Sequence, residues 1–376
     1  MPKAAGRASQ TRVQPRTVLI TGAAGLIGSH LCEAFAGAGW AVRAIDRPGA
    51  DASFLQGLGV PLSEARLERP EGALLVASEA RGAALVAHAA FPPAGEHKDA
   101  LAMARSAMAA AVEAGAPLLL LSSCTVYGRP PNLPCEEGEL KAPVDAHGET
   151  RWAVEREAFL WRRTRGLRLV VLRPALTYGP RQRRGLAVAL VVAALARREG
   201  RSLWLPRRGP VLHTVHAHDV AQAALLLAEA LHAGAQSLDG RAFNVADDVP
   251  LPLEELARAV LQAAGAREAG RVPYSPAPAR VLLWIARRLP SWVLWRPLNR
   301  RLARAFSKAF GGQPPLAPPR LEPDLLEQLA ADRYYDTQRL RALGFVPRFP
   351  SAIDGLQKLA ESSRARGLLP APAEST

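Results

Sequence analysis

Acidic residues are missing from one long stretch of this sequence. From Ala269 to Leu321 there is no Asp or Glu, whereas ten basic residues fall in that stretch, out of a net charge of +14 for the whole chain. Lysine is also scarce, with five residues against 43 arginines. Such a basic stretch would suit a nucleic acid, but no recognised nucleic-acid-binding module accompanies it. We therefore expect no nucleic-acid partner.

Cysteines and long apolar runs are few as well. The three cysteines, Cys32, Cys124 and Cys135, are too widely spaced for a disulfide framework or a zinc site. We therefore expect no metal, and a reducing, cytoplasmic compartment. Residues 1–16 are polar and basic without an apolar core, so we expect a disordered tail there rather than a secretory signal.

The sequence does contain a strand, a glycine turn, a helix and a second strand within residues 17–46. Gly22 would permit a tight turn, Gly25 the approach of the backbone to a pyrophosphate, and Gly28 the close packing of helix on strand. The second strand ends at Asp46, whose carboxylate can accept hydrogen bonds from an adenosine ribose. This layout predicts a dinucleotide-binding turn, with a purely structural glycine turn as the alternative.

The motifs resemble a known family. The spacing T-G-x-x-G-x-x-G resembles the short-chain dehydrogenase/reductase superfamily. Later stretches resemble its extended branch of sugar-nucleotide epimerases, dehydratases and 3β-hydroxysteroid-dehydrogenase-like enzymes. These stretches are SSCTVYG at Ser122–Gly128, RPALTYGP at Arg173–Pro180, TVHAHDVA at Thr214–Ala221, which resembles the family's T-H-V-D-D-V-A, and the closing segment Tyr335–Pro347.

The resemblance covers residues 17 to about 350 and implies an α/β fold. We expect a doubly wound parallel sheet of the Rossmann type with a smaller C-terminal substrate-binding domain. The NAD-binding domain is predicted over residues 17–245, with 181–210 contributing to the substrate side. The C-terminal domain is predicted over 246–350, followed by a terminal helix and a disordered tail over 351–376.

The resemblance also implies NAD as the cofactor. Asp46 would repel the 2′-phosphate of NADP, which makes NADP the less favoured cofactor. Arg66 stands where family members commonly have an Asp that contacts the adenine. It could stack on the adenine or reach a phosphate, with a solvated side chain as the alternative. The residues expected to bind the cofactor are Gly22, Ala24, Gly25, Leu26, Ile27, Gly28, Asp46, Arg47, Arg66, Ala89, Ala90, Arg151 and Pro174.

The catalytic residues depart from the family pattern. Ser123 matches the catalytic Ser or Thr, but His147 and Arg151 stand where the family has the Tyr and Lys of Y-x-x-x-K. Residues four apart share a helix face, so both side chains could point at the nicotinamide. Arg151 would favour the neutral imidazole, which is a competent base for oxidising an alcohol. The pair is either an altered catalytic dyad or the remainder of a lost one.

We therefore expect an NAD-dependent oxidoreductase acting on a hydroxyl or carbonyl carbon. The alternatives are an NAD-binding protein without turnover, acting as a sensor or scaffold, and a sugar-nucleotide epimerase or dehydratase. The matching motifs place Thr125, Tyr178 and Arg181 near the substrate. A metal site at His213, His216 and His218 is not expected, because their spacing is not that of a helical pair of ligands.

The acid-free stretch forms a basic, apolar insert over residues 276–319. Its apolar run Val281–Ala286 is far too short to span a bilayer. Trp284, Trp292 and Trp295 among arginines fit an amphipathic segment in a membrane interface, with a helical lid as the alternative. A comparable insert in the hydroxysteroid-dehydrogenase-like branch favours a lipid-like substrate. The expected partner is a small-molecule substrate, and membrane contact through residues 280–308 and a homodimer are open alternatives.

Overall fold

The computed structural model describes residues 16–92, 97–290, 292–313, 318–321, 327 and 330–370. Its strands are β1 (Thr17–Thr21), β2 (Ala41–Asp46), β3 (Leu62–Glu64), β4 (Leu85–His88), β5 (Leu118–Leu121), β6 (Leu169–Pro174), β7 (Leu176–Tyr178), β8 (Leu203–Arg207), β9 (Val211–Leu212), β10 (Thr214–His216), β11 (Arg241–Val245), β12 (Leu251–Pro252) and β13 (Glu268–Pro273). Its helices are α1 (Leu26–Gly37), α2 (Ser53–Gly57), α3 (Pro70–Ala80), α4 (His97–Glu113), α5 (Ala146–Arg165), α6 (Leu186–Arg198), α7 (Ala217–His232), α8 (Leu253–Ala264), α9 (Pro276–Arg288), α10 (Trp295–Ala309), α11 (Gln338–Arg341) and α12 (Ala352–Ala365).

Seven parallel strands form the central sheet, in the order β3-β2-β1-β4-β5-β6-β11. The central strands are apolar throughout, and β5, for example, is four buried leucines. This composition is expected of strands covered on both faces. The strand order reverses between β1 and β4, so a crevice opens at their carboxyl ends, where doubly wound sheets bind ligands.

Helices cover both faces of this sheet. On one face α1 and α7 bury Leu31, Phe35 and Val220 against it. On the other face α3, α4 and α5 bury Val76, Met108 and other small apolar residues. The predicted doubly wound α/β fold is therefore confirmed.

A third apolar cluster lies beside the sheet. It joins α6, β8, α8 and α12, with Leu190, Leu205, Leu256 and Leu359 among its buried members. Strand β13 pairs with β8 in parallel, which ties this unit together. The chain enters this unit after β6, through β7 and the segment that leads into α6.

The basic insert folds into two helices, α9 and α10. Phe306 is buried in the third cluster and Trp295 is buried with its indole N–H donating to the carbonyl of Ala286 at 3.2 Å. Trp284 and Trp292, in contrast, are 57% and 66% exposed. Within the part of the chain that the structure describes, no helix is both long enough and apolar enough to cross a membrane.

The two chain ends differ from the prediction in part. Residues 364–370 are not a disordered tail, because Leu368 and Leu369 are buried after the end of α12. Arg16 is ordered through an ion pair with Glu229. The remaining tail predictions, for residues 1–15 and 371–376, lie outside the described residues.

Candidate functional site

The glycine turn between β1 and α1 has no room for side chains at two positions. Gly22 has a φ of +73°, and a Cβ there would lie 2.5 Å from the backbone nitrogen of Ala90. A Cβ on Gly28 would lie 1.9 Å from the carbonyl oxygen of Gly22. Gly25 precedes α1 without any side-chain cap, so the N–H groups of the first helical turn, from Leu26 onward, are free to meet an anion.

Asp46 closes the other side of this turn. Its carboxylate accepts hydrogen bonds from the backbone N–H groups of Ala24 at 2.8 Å and Arg47 at 2.7 Å. Asp46 is only partly buried, so its oxygens keep lone pairs for ribose hydroxyls. Arg66 is exposed, and its guanidinium is 3.9 Å from the carboxylate of Glu68.

These residues fit a dinucleotide. The turn offers close backbone approach, free helix N–H groups and a carboxylate for the ribose, which are the three requirements of such a site. Ala89 and Ala90 directly follow β4 and lie against the turn at Gly22, and their side chains are small. The predicted cofactor residues of the glycine turn thus lie beside Asp46 and Ala90, whereas Arg47 and Arg66 are exposed.

A cavity of about 210 Å³ continues this crevice. It extends from the first turn of α1 and the end of β5 to the loop after β6. From the described residues it is lined by Ile27, Ser122, Ser123, Cys124, Thr125, His147, Arg151, Pro174, Ala175, Leu176, Thr177, Leu212, His213, Arg333 and Tyr335. The predicted catalytic residues, the cofactor residues Ile27 and Pro174, and Thr125 therefore border one space.

Ser123 is held at the cavity wall by a short 3₁₀ helix, Cys124–Tyr127. As the N-cap of that helix its hydroxyl oxygen accepts from the backbone N–H of Thr125 at 3.2 Å and from the Thr125 hydroxyl at 3.0 Å. Both of these groups donate to Ser123, so its own O–H is directed elsewhere. A partly buried O–H that lines the cavity can donate to a substrate oxygen.

A buried polar network supports this wall from behind. Glu155 pairs with Arg173 at 2.6 Å and accepts a hydrogen bond from Ser122. Arg173 in turn donates to the Tyr127 hydroxyl at 2.8 Å, and this hydroxyl donates to Asn244 at 2.7 Å. Burial raises the pKa of Tyr127, so this tyrosine is a structural member of the network rather than a proton donor to substrate.

His147 and Arg151 lie one turn apart near the start of α5, where Asp145 caps the helix by accepting from the N–H of Gly148 at 2.7 Å. Phe91 lies against both of them: the guanidinium of Arg151 is 3.6 Å from its ring centroid, and the imidazole meets its ring at 5.4 Å, edge to face. The pair therefore shares one helix face and one aromatic neighbour.

Electrostatics keeps His147 neutral. Burial and the positive charge of Arg151 lower the pKa of His147 to about 3. Arg151 donates to the carbonyl of Leu121 at 2.7 Å, and its Nε has no hydrogen-bond partner among the described residues. Burial lowers the pKa of Arg151 to about 9, so it stays charged at neutral pH.

Two predicted substrate residues lie elsewhere. Tyr178 is fully buried, and its hydroxyl donates to the carbonyl of Ser351 at 3.2 Å. Arg181 packs its guanidinium 3.6 Å from the ring centroid of Phe54 and donates to Ser29 at 2.9 Å. Neither borders the cavity, because the segment that contains them turns back toward α1 and α12.

The histidines considered for a metal serve other contacts. His213 lines the cavity; its Nε2 lies 2.7 Å from the carbonyl of Asp247, and its Nδ1 accepts from the N–H of Tyr335 at 3.1 Å. His216 accepts from the N–H of His218 at the start of α7. Three or more metal-ligating side chains do not cluster anywhere in the described ranges.

The sequence did not point to Arg333 or Tyr335 as cavity residues, nor to Phe91, which packs against Arg151 and His147 beside the cavity. Phe91 directly follows Ala90 at the end of β4, so the parallel topology could have placed it beside the cofactor crevice. Arg333 comes from a segment almost 200 residues after α5 begins, and no spacing pattern points to it.

A doubly wound sheet with a glycine turn, an acid at the end of the second strand and a cavity at the switch point defines a Rossmann-type dinucleotide-binding protein. More specifically, the chain belongs to the NAD dependent epimerase/dehydratase family, whose family model matches residues 18–246. The predicted family is thereby confirmed, and NAD is the cofactor of that family.

Individual relatives are consistent with this assignment. The chain is 27% identical to the UDP-glucose 4-epimerase of Rhizobium meliloti over 275 residues, which span 66% of this chain and 82% of that protein. It is 30% identical to that of Azospirillum brasilense over 173 residues, or 44% and 49% of the two chains. The solved UDP-glucose 4-epimerase of Thermus thermophilus, in complex with NAD, covers 93% of this chain and 99% of its own at a TM-score of 0.65 and 22% identity. That likeness shows the fold.

The cofactor site yields a test of NAD against NADP. Replacing Asp46 by Ser removes a negative charge beside the ribose, so we expect the ratio of NADP to NAD affinity to rise about tenfold. Calorimetric titration with both cofactors measures this ratio. Glu64 provides the control, since it ends the neighbouring strand in register with Asp46. Glu64→Ser should leave the ratio unchanged, and an equal effect of both substitutions would contradict the role of Asp46.

Proposed function

We propose that this protein binds NAD and oxidises a secondary alcohol on a sugar-nucleotide substrate, with His147 as the proton acceptor. The observation that supports this most is the shared cavity, which brings Ser123, His147 and Arg151 next to the first turn of α1. Bound NAD would accept the hydride from the alcohol carbon. The hydroxyl proton then needs a base, and the neutral imidazole of His147 is available for it.

Each side chain has a distinct task in this proposal. The hydroxyl of Ser123 donates to the substrate oxygen and fixes its position. His147 takes the proton as the carbonyl forms. Arg151 cannot exchange protons readily at neutral pH, and its unpartnered Nε–H is available to the ribose hydroxyls of the cofactor or to the substrate.

The substrate class follows from the relatives and the cavity together. The two relatives described above are UDP-glucose 4-epimerases, and two guanidinium groups border the cavity, which favours a polar substrate. The lipid-like substrate expected from the insert stays a prediction. A homodimer likewise stays a prediction.

Binding without turnover is the second candidate. Arg151 is held by the carbonyl of Leu121 and the ring of Phe91, and a base with a pKa of about 3 retains an abstracted proton weakly. The two candidates separate when purified protein loaded with NAD is mixed with UDP-glucose and related sugar nucleotides. If the protein oxidises the sugar nucleotide, the absorbance of NADH should appear. Binding of the sugar nucleotide without any absorbance change would favour the second candidate.

For the insert we propose contact with an anionic membrane surface. Trp284 and Trp292 are exposed, and the guanidinium of Arg288 lies 3.8 Å from the ring centroid of Trp284. Arg296, Arg300, Arg301, Arg304 and Lys308 on α10 are also exposed. Since Trp295 and Phe306 already pack α10 onto the protein, the exposed aromatic side chains remain available to an interface, which favours Trp and Arg together.

Vesicle sedimentation tests this contact. We expect the protein to sediment with anionic vesicles at low salt and to be released as salt rises. Replacing Trp284 and Trp292 by Ala should weaken association about tenfold or more, since each buried aromatic side chain contributes about 1.5–3 kcal/mol.

The control replaces Leu74 and Leu140, which are 74% and 76% exposed on the cofactor-binding half, by Ala. This variant should sediment like the wild type. Equal binding of all three proteins, or no binding to anionic vesicles at low salt, would leave α9 and α10 as a lid only.

A further inference from the structure

Arg333 is a buried cation with unused hydrogen-bond donors. Its side chain is 4% exposed and lines the cavity that contains Ser123 and His147. Its Nε and Nη1 have no hydrogen-bond partner among the described residues, while Nη2 lies 3.4 Å from Glu327. Donors left unpaired in this way are costly, because a buried N–H without an acceptor loses its hydration without compensation.

The positive charge at this wall is compensated only in part. Glu327 is shared with Arg129, whose Nη2 is closer to it, at 2.5 Å. Arg151, on the same cavity, has an unpaired Nε, and the nearby Glu155 is already paired with Arg173 at 2.6 Å. The described residues that line the cavity include no Asp or Glu. The walls therefore favour a ligand that brings a negative charge and acceptor oxygens.

We infer that Arg333 binds a carboxylate on the sugar ring that reacts, so that the preferred substrate is a nucleotide-linked uronic acid rather than a neutral hexose. The cavity, at about 210 Å³, has room for one sugar ring, and the nucleotide and its diphosphate must extend out of it. An anion that reaches Arg333 inside this space is therefore a substituent of the ring itself. This inference rests on the proposed function, since it places the reacting ring beside Ser123.

A ring carboxylate would also improve the proposed base. Burial, and after it the charge of Arg151, lower the pKa of His147. A negative substituent in the same cavity would offset that charge and stabilise the imidazolium formed as the alcohol loses its proton. The substrate would thus provide the counter-charge that the protein's own cavity wall lacks among its described residues.

Calorimetric titration of the NAD-loaded protein with UDP-glucuronate and with UDP-glucose tests the inference. The two probes share nucleotide and diphosphate and differ in the carboxylate. We expect the wild type to bind UDP-glucuronate about tenfold or more tightly than UDP-glucose, as for a charged hydrogen bond. Arg333→Leu should remove that preference by weakening UDP-glucuronate alone, and Arg333→Lys should retain part of it.

The matched control is Arg129→Leu, which removes another ion-pair partner of Glu327 but keeps Arg333 at the cavity. This variant should keep the preference, and thermal melting checks that each variant is folded. The inference would be overturned if the wild type bound UDP-glucuronate and UDP-glucose with equal affinity. It would also be overturned if Arg333→Leu lost affinity for both probes equally, a result that would assign Arg333 to the diphosphate. Because binding is measured, this outcome is separate from failure of the proposed function, which shows as absence of NADH.

Discussion

Gly28→Ala is expected to weaken NAD binding about a hundredfold, the equivalent of about 2.7 kcal/mol. The added Cβ would lie 1.9 Å from the carbonyl oxygen of Gly22 and 2.9 Å from the Cα of Ala23. All of these are backbone atoms, so the overlap is relieved only if α1 moves away from the turn. That movement withdraws the free N–H groups of the first helical turn from the pyrophosphate and costs about 1–3 kcal/mol in stability.

Gly37 provides a control in the same helix. A Cβ on Gly37 meets no atom within 4 Å, and Ala is a better helix former than Gly by about 1 kcal/mol. Gly37→Ala should therefore keep NAD affinity, with equal or slightly higher thermal stability. Calorimetry measures the NAD affinity of the two variants, and thermal melting measures their stability. If Gly28→Ala binds NAD like the wild type, the close packing of α1 on the turn is not what positions the cofactor.

His147→Ala is expected to lower the rate of alcohol oxidation about a hundredfold or more, as for loss of a general base, with NAD affinity unchanged. His232→Ala is the matched control, because this histidine is exposed at the end of α7. It should react like the wild type. A His147→Ala variant with full activity would exclude His147 as the base.

The pH dependence of the oxidation rate provides a second test of His147 as the base. A base whose pKa is held at about 3 by burial and by Arg151 is fully unprotonated at every pH above about 5. The value of kcat/KM for oxidation should therefore show no loss from this group between pH 9 and pH 5, and it should fall only as the pH approaches 3. An activity loss centred near pH 6.5 that disappears in His147→Ala would show an ordinary, unburied imidazole instead.

Much of the cofactor half could be predicted from sequence because its constraints are local. Gly22, Gly28 and Asp46 follow one another along a single strand–turn–helix–strand unit, and each is required by backbone geometry or by ribose chemistry. The two strands predicted within residues 17–46 are observed as β1 and β2. The pair His147 and Arg151 shared a helix face because residues four apart must do so.

The substrate half could not be predicted in the same way because its contacts are long-range. Arg333 reaches the cavity of Ser123 and His147 only through the packing of a late segment beside β9, where the Arg333 N–H donates to the carbonyl of Val211 at 2.8 Å. Tyr178 stands in a matching motif, yet its side chain is turned into the third apolar cluster. The insert's apolar residues likewise divided between a packed side and an exposed side, and composition alone does not show which residue lies on which.

The most direct test of the account follows the nicotinamide itself in NAD-loaded protein mixed with UDP-glucose or UDP-glucuronate. Stopped-flow absorbance would compare the wild type, His147→Ala, and the double variant His147→Tyr with Arg151→Lys. We predict that the wild type forms NADH with at least one of the two sugar nucleotides and that His147→Ala forms none. No NADH from the wild type, together with its appearance in the double variant, would contradict the account, because the site would then retain its geometry without its chemistry.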